Sequence, residues 1–180
     1  MDAIDCIKTR RSRRNFLDKK VSEETIKKLI DCARNAPFGG PPRKDCQLWE
    51  FVVIRDDSIK EELTLEYDDR EFIKEAPVTI AVCADKRKDP DYKNWEVTCS
   101  LAAENILLAA HSLGLGACYV TTFMHHEGHT EDREKLVKTL NLPEHIKLIC
   151  LIPIGYPDSD EDIEPKELRD IEEMLHYNKW

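Results

Sequence analysis

Apolar residues recur along the chain with two different periods. After Ser22, Ile26, Leu29, Ile30 and Ala33 fall at i, i+3, i+4 and i+7, the spacing of a helix with one face in a core. Ser22 stands as N-cap, and Glu23 and Glu24 complement the helix dipole. Pro37 lies beyond the end of this helix, and residues 37–45, PFGGPPRKD, read as a loop from their glycines and prolines. A shorter helix is expected over 3–11, with Ile4 and Ile7 on one face. FVVI (51–54) and VTIAVCA (78–84) are short continuous apolar runs that predict buried strands, with a helix over 58–66 between them. The longest helix is expected over 93–113. Leu101, Asn105, Leu108 and Ala109 line one stripe of it, and Ala102, Ala103, Ala109 and Ala110 let another backbone approach. Gly114 stops it as a C-cap. A strand over 117–121 follows, then a helix from Thr130 through Leu140. IKLICLIPIG (146–155) reads as a long strand in which Pro153 implies an edge or terminal position. An acidic loop and a short helix lead to Trp180.

Helices outnumber strands and do not alternate with them in the strict manner of a doubly wound sheet, which predicts an α+β fold. No internal repeat, flexible linker or composition break divides the chain. A single domain over 1–180 is therefore expected.

Composition narrows the function classes. The chain has 27 basic against 36 acidic residues, a net charge of −9, and 41% hydrophobic residues. This describes a charged globular protein rather than a disordered one, and argues against nucleic acid as the principal partner. No apolar run reaches membrane-span length, and the N-terminus lacks a secretory h-region. Seven cysteines stand at 6, 32, 46, 83, 99, 118 and 150 without a C-x-x-C, so neither a disulfide framework nor a zinc ribbon is expected. Cys83 and Cys150 read as small core residues. The expectation is a reducing cytoplasm.

The charge is unevenly placed. Residues 8–20, KTRRSRRNFLDKK, carry seven basic side chains and one acid, whereas 158–173 carry nine acids and two bases. Arg10, Arg11, Ser12, Arg13 and Arg14 form the densest group. Arginine forks supply charge-assisted donors from several directions, which is what a phosphate dianion requires. If a helix ends near Arg11, Ser12 and Arg14 point to one side and Arg10 reaches over the last turn. The same arginines could instead complement a helix C-terminus. Neither G-x-G-x-x-G nor G-x-x-x-x-G-K-[ST] occurs, so a glycine-loop phosphate cradle is not on offer.

RRSRRNF after a short helix, a loop ending DCQLWEFVVI, SLAAENILLAAHSLGLGACYV, LICLIPIGYP and PKELRDIEEMLHYNKW occur in that order. Together they resemble the FMN-dependent nitroreductase family over essentially the whole chain. The resemblance implies a mainly antiparallel central sheet flanked by helices. It also implies a homodimer with FMN at the subunit interface and a C-terminal extension packed on the partner. Arg10, Arg11, Ser12 and Arg14 would hold the FMN phosphate and ribityl chain. The loop Pro37, Phe38 and Gly39, with Asp45 and Gln47, would approach the flavin. So would Tyr119, Val120, Thr121 and Thr122, while Lys166 and Arg169 would reach the phosphate.

This sequence departs from the family pattern at four points. Asp45 replaces an asparagine, Phe38 replaces a small residue, the loop is several residues longer, and Arg169 comes one place late. An amide can donate to flavin, whereas a carboxylate only accepts. Phe38 is expected over part of the ring face.

The activity implied is hydride transfer from NADH or NADPH through flavin to a nitroaromatic, quinone or related acceptor, with ping-pong kinetics and no catalytic side chain. Three alternatives stay open. One is a dehalogenating, dehydrogenating or flavin-fragmenting member of the family; the second is a flavin-binding sensor or carrier. The third is a non-flavin domain in which the arginines hold another phosphorylated ligand. His125, His126 and His129 with Glu127 are dense, but HHEGH is not H-E-x-x-H; a polar lid or plain loop surface is expected there rather than a metal.

Overall fold

The computed structural model describes residues 1–39, 44–64, 70–89, 91, 94–122, 130–158 and 166–180, with side chains left out at 130–133. Helix α1 spans Ala3–Thr9, α2 Glu23–Ala33, α3 Asp57–Thr64, α4 Glu71–Glu75, α5 Trp95–Ser112 and α6 Thr130–Thr139. Strand β1 spans Trp49–Ile54, β2 Val78–Asp85, β3 Gly116–Ala117, β4 Val120–Thr121 and β5 Ile146–Gly155. The sheet order is β1-β2-β5-β3, with β4 also on β5, and every pairing is antiparallel. The α+β expectation holds.

Helix α2 forms as its pattern predicts. The Ser22 hydroxyl accepts from the Thr25 N–H at 3.1 Å, and Ile26, Leu29 and Ala33 are buried. These side chains meet α5 and one sheet face, where Val78, Ile80, Val82 and Ala84 of β2 join Cys150, Ile152 and Ile154 of β5. Ala81, Cys83, Leu148 and Leu151 face the other way, against Leu63, Ile73 and Leu136 of α3, α4 and α6. A sheet covered on both faces explains why β2 reads as one continuous apolar run rather than an alternation. Opposite the Val82/Cys83 step, Ile149 is the extra residue of a bulge, and Ile149 and Cys150 both turn to the α5 side.

Several expectations are corrected. Strand β5 is interior, between β2 and β3/β4, although Pro153 lies within it. Its carbonyl accepts from the Cys118 N–H at 3.3 Å, so its N–H-less side faces the interval between β3 and β4. The β2 ladder therefore loses no bond at the proline. The 117–121 strand is accordingly two short pieces. In α5 the buried face is Thr98, Cys99, Ala102, Ala103, Ile106, Leu107 and Ala110; Leu101 is exposed. Asn105, Leu108 and Ala109 line a groove of about 570 Å³ shared with α1 and α2. The Asn105 amide there donates to the Cys32 carbonyl at 3.1 Å, tying α5 to α2. Helix α1 ends at Thr9 rather than residue 11. Helix α4 has no counterpart among the expected elements, and the helix expected near Trp180 is one 3₁₀ turn, Ile171–Glu173. Gly114 ends α5 at φ 74°, as expected of a left-handed C-cap. No described helix is long and apolar enough to cross a membrane.

Lys60 supports the second layer. Its ammonium donates to the carbonyls of Lys74 (3.0 Å) and Ala76 (2.7 Å), the open end of α4, and pairs with Asp57 at 2.9 Å. All three donors of a buried cation are thus used.

Candidate functional site

The arginine segment is placed by where α1 stops. Asp2 caps the helix start, accepting from Asp5 N–H at 2.9 Å. At Arg10 the backbone turns extended (ψ 132°), with its N–H still on the Cys6 carbonyl. Two residues later Ser12 bridges Ala117 in parallel, and Arg13 N–H donates to the Ala117 carbonyl at 3.0 Å. Residues 10–14 therefore line the β3 edge of the sheet. The approach needs a glycine: a Cβ on Gly116 would stand 2.7 Å from the Arg13 Cβ.

The side chains then divide. Arg10 Nε lies 3.7 Å from Glu104 of α5. Arg11 turns back, its Nη1 donating to the Lys8 and Arg10 carbonyls, both at 2.9 Å, so it closes the end of α1. Its Nε is buried without a hydrogen-bond partner. Arg14 is exposed, 5.6 Å from the Phe72 ring centroid. The Ser12 hydroxyl lies against the Cys118 thiol, where the β3/β4 interval turns out of the sheet. Burial pushes that thiol up, while Arg14, Ser12 and Arg10 pull it down. On the α5 side, burial and then Arg10, Arg13 and Arg11 hold the His111 imidazole below the ordinary histidine range. A positive field thus reaches two titratable neighbours, at the end of a helix and along a sheet edge. This is the donor set and charge that a phosphate dianion fits.

The next stretch contributes mainly backbone. The Tyr119 hydroxyl is directed into the fold between Ser100 and the Cys150 thiol, and burial raises its pKa. Val120 is buried in the second core layer, and Thr122 donates to the Ile149 carbonyl at 2.8 Å. Thr121 is half-buried and pairs with Cys150. Residues 119–122 so present a line of main chain along the same edge as Arg10–Arg14. The thiols of Cys83, Cys99 and Cys150 are all pushed up by burial, Cys83 to about 12, and behave as core residues.

The loop residues are placed elsewhere. Pro37 and Gly39 are exposed, and Phe38 is half-buried, edge-on to Trp49 at 5.2 Å between centroids. Trp49 itself is core, its indole N–H on the Thr98 carbonyl at 3.2 Å. Asp45 is exposed in the 3₁₀ turn Lys44–Cys46; Gln47 is half-buried, its N–H on the Lys44 carbonyl at 3.3 Å. These residues lead into β1, the opposite edge of the sheet from β3 and β4. Three strand spacings, about 14 Å, separate β1 from β3.

Lys166 and Arg169 lie on an exposed tail, 166–180. Arg169 bonds to Glu173 of the same tail at 3.3 Å. Trp180 is fully exposed and stacks only on His176 among the described contacts. His125, Glu127, His126 and His129 lie outside the described residues. Among the described residues no cluster could hold a metal ion.

Two neighbours of the arginine segment escaped the sequence reading. His111 and Cys118 are about a hundred positions from Arg10, and nothing local relates them to it. Only the Gly114 helix stop placed their neighbourhood.

The family model described as the nitroreductase family matches residues 7–70 and 66–156. A protein of Methanothermobacter thermautotrophicus named for NADH dehydrogenase/NAD(P)H nitroreductase is 38% identical over 100% of this chain and 88% of its own length. Among solved structures, an FMN-dependent nitroreductase from Clostridium difficile R20291 superposes with a TM-score of 0.80 at 29% identity, over 98% of this chain and 99% of that one. A nitroreductase-type protein from Desulfovibrio desulfuricans, solved in complex with FMN, gives a TM-score of 0.81 at 25% identity, covering 100% and 99%.

Proposed function

The chain belongs to the nitroreductase family and is an FMN-type oxidoreductase of the NAD(P)H nitroreductase kind; from that premise we propose how it works. Residues 1–180 act as one FMN-binding unit, and the enzyme is a homodimer carrying the cofactor between subunits. When bound, FMN supplies hydride transfer between a reduced nicotinamide and a nitroaromatic, quinone or related acceptor.

The observation that carries the dimeric reading is the separation of the two candidate groups. Arg10, Ser12 and Arg14 line one sheet edge with the backbone of 119–122, whereas Pro37, Phe38, Gly39, Asp45 and Gln47 approach the other. A second copy can bring its loop to the first copy's arginines and so complete the site. Exposed Ile4, Ile7, Leu101 and Leu113 supply apolar surface for that contact, as do Leu168, Ile171, Leu175 and Trp180 of the tail. Lys166 and Arg169 reach a phosphate only if the tail docks.

Within the site, Arg10 and Arg14 supply charge to the phosphate and Ser12 a hydroxyl. Arg11 holds the turn that presents them. Among the residues named, none is positioned as acid or base, so protons for the product come from solvent. NAD(P)H and acceptor occupy the same place in turn, which predicts parallel double-reciprocal lines.

The test is the visible spectrum of the purified protein, followed by FMN titration and anaerobic addition of NAD(P)H. One FMN per chain in a dimer, bleached by NAD(P)H and restored by a quinone or nitroaromatic, is the expected result. Flavin that binds but does not bleach would indicate a carrier or sensor. No FMN binding would leave the arginines to another anion and end the proposal.

A further inference from the structure

The contact between α1 and α5 contains a histidine that the proposed function does not use. Thr9 Oγ1 lies 2.6 Å from the Asp5 carbonyl and 2.8 Å from His111 Nε2. A carbonyl can only accept, so the one hydroxyl proton of Thr9 is committed to Asp5. The Thr9 oxygen must therefore accept from His111, which fixes the Nε2–H tautomer and leaves Nδ1 as the basic atom. Cys6 Sγ on the Leu108 carbonyl at 3.3 Å and Arg10 on Glu104 at 3.7 Å complete a line of ties along the same contact. The last turn of α1, from which the arginine segment departs, is thereby held to the end of α5.

The charges acting on the imidazole are those of Arg10, Arg13 and Arg11 on the following segment; the packed elements also carry Asp5 and Lys8 on α1 and, on α5, Glu104, which pairs with Arg10. Burial first, and then the three arginines, disfavour the charged form of the ring. An incoming phosphate dianion offsets the arginine charge that opposes protonation of the ring.

We propose that His111 is a positioning residue of the phosphate site, holding the arginine segment through Thr9 and taking up a proton at Nδ1 when FMN binds. This rests on the FMN reading above. Because binding draws a proton to the imidazole, the protonated form has the higher affinity. The contribution of His111 is complete below its midpoint in the free protein and disappears as pH rises through its midpoint in the complex. The phosphate of FMN itself titrates near pH 6 in the opposite sense, so the measurement must be differential.

His111→Gln keeps an N–H donor for Thr9 and cannot titrate. FMN binding is measured by calorimetry in buffers of different ionisation enthalpy, for wild type and H111Q, between about pH 6 and about pH 8. Wild type should take up a larger fraction of a proton. Its affinity relative to H111Q should fall with rising pH by up to about tenfold, the change expected if binding moves the imidazole midpoint by about one pH unit. Equal uptake and parallel pH profiles, with FMN bound by both, would overturn this proposal alone. Failure of wild type to bind FMN would remove the cofactor reading and this one with it. Should H111Q not fold, the His111 ring Hε1 resonance of wild type, titrated with and without FMN, decides: an upward midpoint supports the proposal and an unchanged one overturns it.

Discussion

The Cys118 N–H donates to the Pro153 carbonyl at 3.3 Å, across the interval where β3 ends and β4 has not begun. A proline is tolerated in this interior strand because its missing N–H faces that interval rather than β2. The same interval turns Cys118 towards Ser12 and Tyr119 into the core, so the accommodation of Pro153 and the shape of the candidate site are one feature.

Pro153→Ala frees the unfolded chain, while its new N–H faces Cys118, the residue opposite in the register. It should cost no more than about 1 kcal/mol. Urea unfolding checks this, with an unchanged m-value expected.

Thr79 is fully buried and its hydroxyl has no hydrogen-bond partner. Thr79→Val keeps the shape and removes the unsatisfied group. A gain of about 1 kcal/mol is expected, read as a higher Tm by calorimetry.

Lys60 closes the end of α4 from within the core. Lys60→Met keeps the apolar stem but strands the Lys74 and Ala76 carbonyls, at a cost of about 2–4 kcal/mol. Amide exchange should show α4 opening before β2.

The arginines should separate by role. Arg14→Ala and Ser12→Ala should weaken FMN binding by about tenfold or more with little change in Tm. Arg11→Ala removes the side chain that closes α1 and should lower Tm, with the smaller loss of FMN affinity. An affinity loss for Arg11→Ala larger than that for Arg14→Ala would contradict the geometry.

Asp85 is buried, and hydrogen bonds from the Arg87 side chain hold its carboxyl down at about 2. A depressed folded-state pKa stabilises the fold above the unfolded value, near 4, and the contribution is lost as pH falls from about 4 to about 2. Arg87→Ala should therefore raise the acid-unfolding midpoint, followed by circular dichroism.

Much of the scaffold is legible in the sequence. Ser22 and the apolar spacing of α2, the runs in β1, β2 and β5, and Gly114 each encode a local preference that the fold keeps. The Leu101–Ala109 stripe misled because both sides of α5 are apolar, so periodicity could not say which side the sheet covers. Pro153 misled because a rule about edge strands concerns the proline's own N–H side, and its neighbour's register is not written near it.

The sequence by itself determined most of the elements, the concentration of arginines after α1 and the family resemblance, since helix periodicity, caps and motif order are properties of neighbouring residues. Only the tertiary structure decided what those arginines do individually. Arg11 turns onto its own helix, Arg10 pairs across to Glu104, and Ser12 meets Cys118. Only the strand order set Phe38, Asp45 and Gln47 on the opposite side of the sheet from Arg10–Arg14. Such choices depend on which distant backbone passes within a few ångströms, and long-range pairing is fixed by burying both faces of one sheet at once rather than by any local preference.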